Sequence, residues 1–253
     1  MPKKKSTSWG EVAEWYDDHL KNDDTYHSQV ILPNITRLVD PKLDDKILDI
    51  ACGNGFFTKA FALAGADSIG IDVSGELIEL AQKNSPDKAT FRIGTANNLK
   101  FLPDESINKI INILAIQNIE QVKEMFTEAK RVLCNNGKMF IVMNHPTFRI
   151  PKKSSWQWDD KSSTQYRRID AYMSETKEEI AMHPGQNDSP TTVSFHRPLQ
   201  YYTKLANKEG FVITRLEEWI SHKTSSPGER QKEENRIRKE IPLFLFLELR
   251  KDN

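Results

Sequence analysis

The sequence predicts an α/β fold: an open, doubly wound, mostly parallel sheet with helices on both faces. Three observations predict it. Between residues 46 and 143, short apolar runs alternate with helical stretches over short connections, as parallel βαβ units require. The first apolar run, Ile47-Leu48-Asp49-Ile50, stops at a turn of small residues, Ala51-Cys52-Gly53-Asn54-Gly55, that leads directly into a helix. Two closing strand-length segments, Phe211 to Trp219 and Ile241 to Arg250, fit an antiparallel hairpin.

The elements follow in order. Trp9 to Leu20 and Ser28 to Val39 are expected as helices split by the polar run Lys21 to Thr25, with residues 1–8 disordered. Val12, Trp15 and Tyr16 share a face at helical spacing. The first strand, its turn and a helix from Phe56 to Gly65 come next. Asp67 to Val73 is the second strand and Gly75 to Lys83 its helix, with Ser74 placed as the N-cap. Thr90 to Gly94 and Lys109 to Leu114 are strands three and four. The latter is nearly all apolar, as a strand buried on both faces should be. Glu120 to Leu133 is an amphipathic helix stopped by Asn135-Asn136-Gly137, and Lys138 to Met143 is strand five. The rhythm then breaks. Residues 144–198 are too long and polar for a plain loop. They are read as a cap over the carboxyl end of the sheet, with a helix near Ser163–Ser174 and short paired strands around Glu179–His183 and Thr191–His196. Leu199 to Glu209 returns to a helix, and Pro227 to Glu240 is a charged helical stretch before the last strand.

Composition narrows the function classes. Thirty-six basic residues balance 36 acidic ones, which argues against a dedicated nucleic-acid binder. Two cysteines, Cys52 and Cys134, and scattered histidines give neither a disulfide framework nor a metal constellation. Met1 to Ser6 is basic with no apolar run behind it, and no stretch reaches the roughly 18 apolar residues of a membrane span. A cytoplasmic protein without a membrane partner is expected.

The stretch Asp49-Ile-Ala-Cys-Gly-Asn-Gly55 resembles the first motif, acidic-x-Gly-x-Gly-x-Gly, of the class I S-adenosylmethionine (SAM)-dependent methyltransferases of type 11/25. Ala51 stands in place of the first glycine. Asp72, ending the second strand, strengthens the match, because an acidic residue about 20 positions past the glycines suits a ribose diol. The resemblance implies a Rossmann-like, seven-stranded, mostly parallel sheet with an antiparallel last strand and a cap insertion between strands 5 and 6. It implies SAM as cofactor and one methyltransferase domain over 1–253, with a helical lid at 1–40 and a substrate cap at 144–198. Asp49 would accept from the methionine ammonium, Gly53 and Gly55 would let the backbone approach, and Asp72 would take the ribose. Ala51 and Val73 belong to the same cofactor shell. The family's adenine-binding Asp is missing, leaving Thr95, Ala96 and Asn97 as candidates there. Tyr16, Tyr26 and His27 are candidates to close over the methionine end. Leu114, Gln117 and Asn118 would face the sulfonium and the acceptor.

A base, if the acceptor needs one, is expected from His145 or His196, as imidazole suits proton transfer near neutral pH. Arg149 and Arg167, with Arg168, are candidates for a substrate anion, or for salt bridges with Asp159, Asp160, Asp170 or Glu175. Trp156, Trp158 and Tyr166 form an aromatic wall or pack the cap. The expected partner is a small-molecule acceptor methylated on oxygen or nitrogen. Oligomeric state stays open between monomer and homodimer. The alternative is an RNA- or protein-directed methyltransferase that uses Lys152, Lys153, Lys161 and the nearby arginines and aromatics as a groove. A nicotinamide dehydrogenase fits worse, because Thr58 stands where that fingerprint wants a third glycine.

Overall fold

The computed structural model describes residues 8–83, 85–182 and 189–252. The disorder expected over the first residues, and the His183-Pro184-Gly185 end of one cap strand, lie outside them apart from Ser8. The chain begins with α1 (Ser8–Glu11) and α2 (Ala13–Leu20), then a π-helical turn (His27–Ile31) continuous with α3 (Leu32–Val39). The alternating core follows as β1 (Lys46–Ile50), α4 (Phe56–Leu63), β2 (Asp67–Asp72), α5 (Gly75–Gln82), β3 (Ala89–Ile93), β4 (Ile107–Ile113), α6 (Val122–Val132) and β5 (Leu133–Asn144).

The insertion folds as two antiparallel hairpins, β6 (Ser154–Asp159) with β7 (Thr164–Ile169), and β8 (Thr176–Ala181) with β9 (Thr191–His196). The chain ends with α7 (Leu199–Lys208), β10 (Phe211–Trp219), α8 (Gln231–Glu240) and β11 (Phe244–Lys251). The helix expected near Ser163–Ser174 is therefore a strand. Asp159 accepts from Lys161 N and Ser162 Oγ, and Ser163 takes a left-handed φ of 50°, so the chain reverses tightly. Thr164 to Ile169 then pair across to β6. Asn135-Asn136-Gly137 likewise falls inside β5. Asn136 adopts φ 64° at an irregularity where the register with β4 shifts.

Seven strands form one sheet in the order β10-β11-β5-β4-β1-β2-β3. The pairs among β3, β2, β1, β4 and β5 are parallel. Only β11 runs against its neighbours, β5 and β10. This is the Rossmann-like sheet with a reversed last strand. The strand pleat decides which side chain meets which layer. Ile47, Ile111, Phe140, Val142 and Phe246 pack with Ile35, Leu38, Phe57 and Phe61 of α3 and α4. Their chain neighbours Leu48, Ile110, Met139, Ile141 and Leu247 pack with Met125, Phe126 and Ala129 of α6 and Ala206 of α7. Both faces are buried, which is why these strands read as continuous apolar runs.

The order of the strands reverses between β1 and β4. After β1 the chain builds outward through β2 and β3, then returns to add β4 and β5 on the other side. The loops beyond the carboxyl ends of β1 and β4 diverge there and leave a crevice, the place where open α/β sheets take ligands.

Candidate active site

The crevice opens into a cavity of about 510 Å³. Its floor is the turn after β1. Gly53 and Gly55 hold φ 58° and 80°, and Ala51 holds φ 60°, a left-handed conformation that strains a residue with a Cβ. A Cβ on Gly55 would meet the Phe91 ring at 2.6 Å, so no larger residue fits there. Leu114, just after β4, is also left-handed at φ 54°. Strained backbone thus gathers at the ends of the two strands that flank the crevice.

Two carboxylates sit in this floor. Asp49 is 2% exposed and takes a 2.6 Å hydrogen bond from Thr58 Oγ1. Burial pushes its pKa up to about 7, against the pull of the Thr58 hydroxyl and with a further push from Asp72. Asp72 Oδ2 accepts from Gly53 N at 3.0 Å and Oδ1 from Ser74 N at 2.9 Å. Burial raises Asp72 as well, against the pull of those backbone donors. Ser74 is the N-cap of α5, accepting from Leu77 N at 3.2 Å, which leaves the Asp72 carboxylate facing the cavity.

The rest of the lining comes from four places. Gly94, Thr95, Ala96 and Asn97 follow β3, and Asn97 is bonded to Gln121. Leu114, Gln117 and Asn118 follow β4. Gln117 donates to Leu114 O, and its buried Oε1 has no partner among the described residues; the same is true of Asn54 Oδ1. Trp9, Tyr16 and His27 come from the N-terminal helices. The Tyr16 hydroxyl meets His27 Nε2 at 3.3 Å, and Asp17 takes a hydrogen bond from Asn54 at 2.8 Å, tying α2 to the floor. Burial drives the Tyr16 hydroxyl pKa upward and lowers His27 to about 4, so both are neutral near pH 7. Finally Ile180, Ala181, Met182, Thr192 and Ser194 of the second hairpin form the opposite wall. That hairpin is fixed to the sheet, since Asn118 donates to Val193 O and Arg197 donates to the carbonyls of Ile119 and Glu120.

Asp49, Asp72 and Glu120 bring carboxylates to this lining, and no described lining residue is a lysine or arginine. A pyrophosphate-bearing nucleotide would find no counter-charge here. A ligand with a cationic end and hydroxyls to donate would satisfy both the acids and the orphaned carboxamide oxygens. The residues present therefore fit SAM. The profile of the family described as "Methyltransferase domain" matches residues 48–141, from β1 through most of β5.

Residues 48–141 of the chain therefore carry a methyltransferase domain.

Relatives agree with that placement. The biotin biosynthesis bifunctional protein BioHC of Cellvibrio japonicus is 28% identical over 204 residues, 80% of this chain and 38% of that protein. The ubiquinone biosynthesis O-methyltransferase of Pelagibacter ubique is 26% identical, over 58% of this chain and 67% of its own length. The methyltransferase chain thus spans well under half of the first of these proteins and two thirds of the second. An S-adenosylmethionine-dependent methyltransferase of Mesorhizobium loti shares the fold at a TM-score of 0.70 and 22% identity, over 90% of this chain and 99% of that one. No described helix of the methyltransferase is long and apolar enough to cross a membrane.

Several expected site residues stand elsewhere. His145 is 4% exposed and bonds Glu218 Oε1 at 2.7 Å; burial lowers its pKa against the pull of Glu218. His196 is equally buried and bonds Tyr172 O at 2.7 Å. Neither lines the cavity. Each follows or ends a strand at a position whose side chain turns into packing. Tyr26 turns away too: its hydroxyl meets Ser221 Oγ at 3.1 Å and its ring packs on Phe244 and His222. Arg149, Trp156, Tyr166 and Arg167 lie outside the lining, on and beside the first hairpin. That hairpin leans on α8, where Arg230 covers the Trp158 ring and Glu233 accepts from Gln165 N. Only Arg168 makes the salt bridge considered for the arginines, with Asp170 at 2.6 Å. The wall residues Ile180, Met182, Thr192 and Ser194 were not foreseen. Their one signal was the alternation of small polar and apolar residues along β9.

Proposed function

We propose that this methyltransferase moves the methyl group of SAM to an oxygen or nitrogen of a small-molecule acceptor. The observation that carries the proposal is the acidic, cation-free floor at the switch point of the sheet, roofed by a closely fixed hairpin. The cavity volume falls within the roughly 300–1,000 Å³ usual for small-molecule sites. The first hairpin gives little support to an RNA-directed reading. Lys152 pairs with Glu178, Arg168 with Asp170, and Trp158 is covered by Arg230, so part of its charge and aromatic surface is engaged.

When bound, SAM supplies a methyl group already activated on a sulfonium. In this reading Asp72 accepts the ribose hydroxyls, and Asp49 takes the ammonium, directly or through water. Gly53, Gly55 and Ala51 bring the backbone close. Val73 and Leu77 cover the adenine, and Thr95, Ala96 and Asn97 meet its edge. Leu114, Gln117 and Asn118 hold the reacting centre against the hairpin wall, where apolar side chains keep water out. His27 lines the cavity as a neutral imidazole bonded through Nε2 to the Tyr16 hydroxyl, and the two would close over the methionine end. The N-terminal segment 1–40 acts as the lid and 144–198 as the substrate cap.

Asp72→Ala is expected to weaken SAM binding by about 2–3 kcal/mol, roughly 30- to 150-fold, as lost hydrogen bonds to a charged group would. Calorimetry on the folded variant reads this, and unchanged affinity would sink the cofactor assignment. A screen with methyl-labelled SAM against metabolite pools, total RNA and protein extract then tests the acceptor. Label in small molecules is the expected result, and label confined to RNA or protein would overturn it.

A further inference from the structure

Outside the cavity one charge arrangement is left unbalanced. The segment after β5 turns back on itself, with Arg149 N donating to His145 O at 2.9 Å. Arg167, on β7, reaches toward the same turn. Its Nε donates to Phe148 O and its Nη2 to Ser154 Oγ, both at 2.7 Å, while its guanidinium lies 5.1 Å from the centre of the Trp156 ring. These bonds fix Arg167 against the residue that precedes Arg149. Two guanidinium groups are thereby held within electrostatic reach of each other. Burial, and then Arg149, push Arg167 down to about 10.

No described carboxylate answers them. Glu218 is taken by His145, Glu178 by Lys152, Asp170 by Arg168, and Asp24 by His222 and Lys223. Arg149 is exposed, and its guanidinium makes no hydrogen bond or ion pair among the described residues. It stands within electrostatic reach of Tyr26, whose ring packs on Phe244. Phe244 pairs with Asn144, and Asn144 lines the cavity. Arg149 therefore stands one turn of chain past Asn144, the residue at the end of β5 that lines the cavity.

We propose that Arg149, backed by Arg167, anchors an anionic group, a carboxylate or a phosphate, at the far end of the methyl acceptor. The inference rests on the methyl-transfer reading for the word acceptor, but the anion site stands on its own geometry. A planar guanidinium with free donors is suited to either oxyanion, and binding one relieves the repulsion between the two arginines. The acidic floor gives the arrangement a direction. An elongated acceptor with one anionic end is repelled from Asp49 and Asp72 and held at the rim, so its other end enters among the apolar wall residues. A free acid or a phosphorylated metabolite meets this description.

The test uses the full chain and separates the anion from the methyl donor. Inorganic phosphate and benzoate are titrated in turn while the arginine Nε–Hε resonances are followed by NMR, and SAM affinity is measured alongside by calorimetry. The wild type is expected to bind at least one probe saturably. Arg149→Gln is expected to weaken that binding at least tenfold, and Arg149→Lys, which keeps the charge, less. Tighter benzoate assigns a carboxylate, and tighter phosphate a phosphoryl group. For acceptors found in the labelled screen, Arg149→Gln is expected to raise KM at least tenfold. Absence of saturable anion binding, binding that Arg149→Gln leaves intact, or acceptors without an anionic group would overturn the proposal. Loss of SAM binding in the wild type would instead strike the methyl-transfer reading and leave the NMR result to judge the anion site.

Discussion

The floor of the cavity and the rim beside it are mirror images in charge. Among the described residues, the floor brings Asp49 and Asp72 together with no lysine or arginine in the lining, and the rim brings Arg149 and Arg167 together with no answering carboxylate. They tolerate this differently. The floor is buried, so burial raises both of its acids, Asp49 up to about 7. At the rim Arg149 has an exposed side chain although partial burial lowers its pKa, while Arg167 leans on two acceptors and a ring. A buried group with no partner changes its ionisation, and an exposed one keeps its charge and waits for a ligand.

The largest expected effect tests the floor. Because Asp49 titrates higher in the folded chain than in the unfolded one, the folded state holds the extra proton between pH 4 and 7. Its contribution to stability is full below the unfolded pKa and is lost as pH rises through about 7, a change on the order of 4 kcal/mol. His27 works the other way, its contribution falling away as pH drops from about 6.5 toward 4. Urea unfolding of wild type and Asp49→Asn from pH 5 to 8 separates the two. The difference between the proteins should grow with pH, and a constant difference would mean that the floor is not strained by charge. SAM affinity should rise with pH through the same interval, because a cationic ligand selects the ionised acid.

A smaller effect probes the floor's backbone. Ala51→Gly removes the left-handed strain at φ 60° and should stabilise the free chain by up to about 1 kcal/mol, part of the gain being offset by a freer unfolded state. Equal or lower stability in thermal unfolding would show that the turn is held at little cost. The smallest effect tests the rim. Arg149→Glu gives Arg167 a neighbouring carboxylate and should stabilise the chain by about 0.5 kcal/mol while abolishing anion binding. A clear loss of stability would show that the two arginines do not repel.

The same contrast explains what could be read in advance. The floor is local in sequence. Asp49, the small turn and Asp72 lie within one βαβ unit, and the apolar runs on either side fix strand direction, so both carboxylates could be placed from spacing alone. The rim is assembled from residues 149 and 167, on a turn and a strand, and nothing in spacing reports that they meet. Neighbours on β7 show the limit well. Arg167 turns inward to Phe148 O and Arg168 outward to Asp170, and only the strand pleat decides which. The second strand of the first hairpin was mistaken for a helix because Thr164 to Ile169 is half-buried and carries no apolar alternation. The orientation of His145 and His196 was illegible for a related reason: a histidine at a strand end faces the site or the packing according to one residue of register, and both are bonded into packing.

The way the second hairpin is attached has a consequence for how such a protein changes over time. Its links to the sheet include Val193 O and the Arg197 side chain, whereas the side chains it shows the cavity include Ile180, Met182 and Ser194. Attachment and display thus use different positions. The displayed side chains can be exchanged, by drift or by a protein engineer, without disturbing the links or the turn that holds the methyl donor. The hairpin works as an interchangeable faceplate, and a library restricted to those three positions is the economical way to redirect what the cavity accepts.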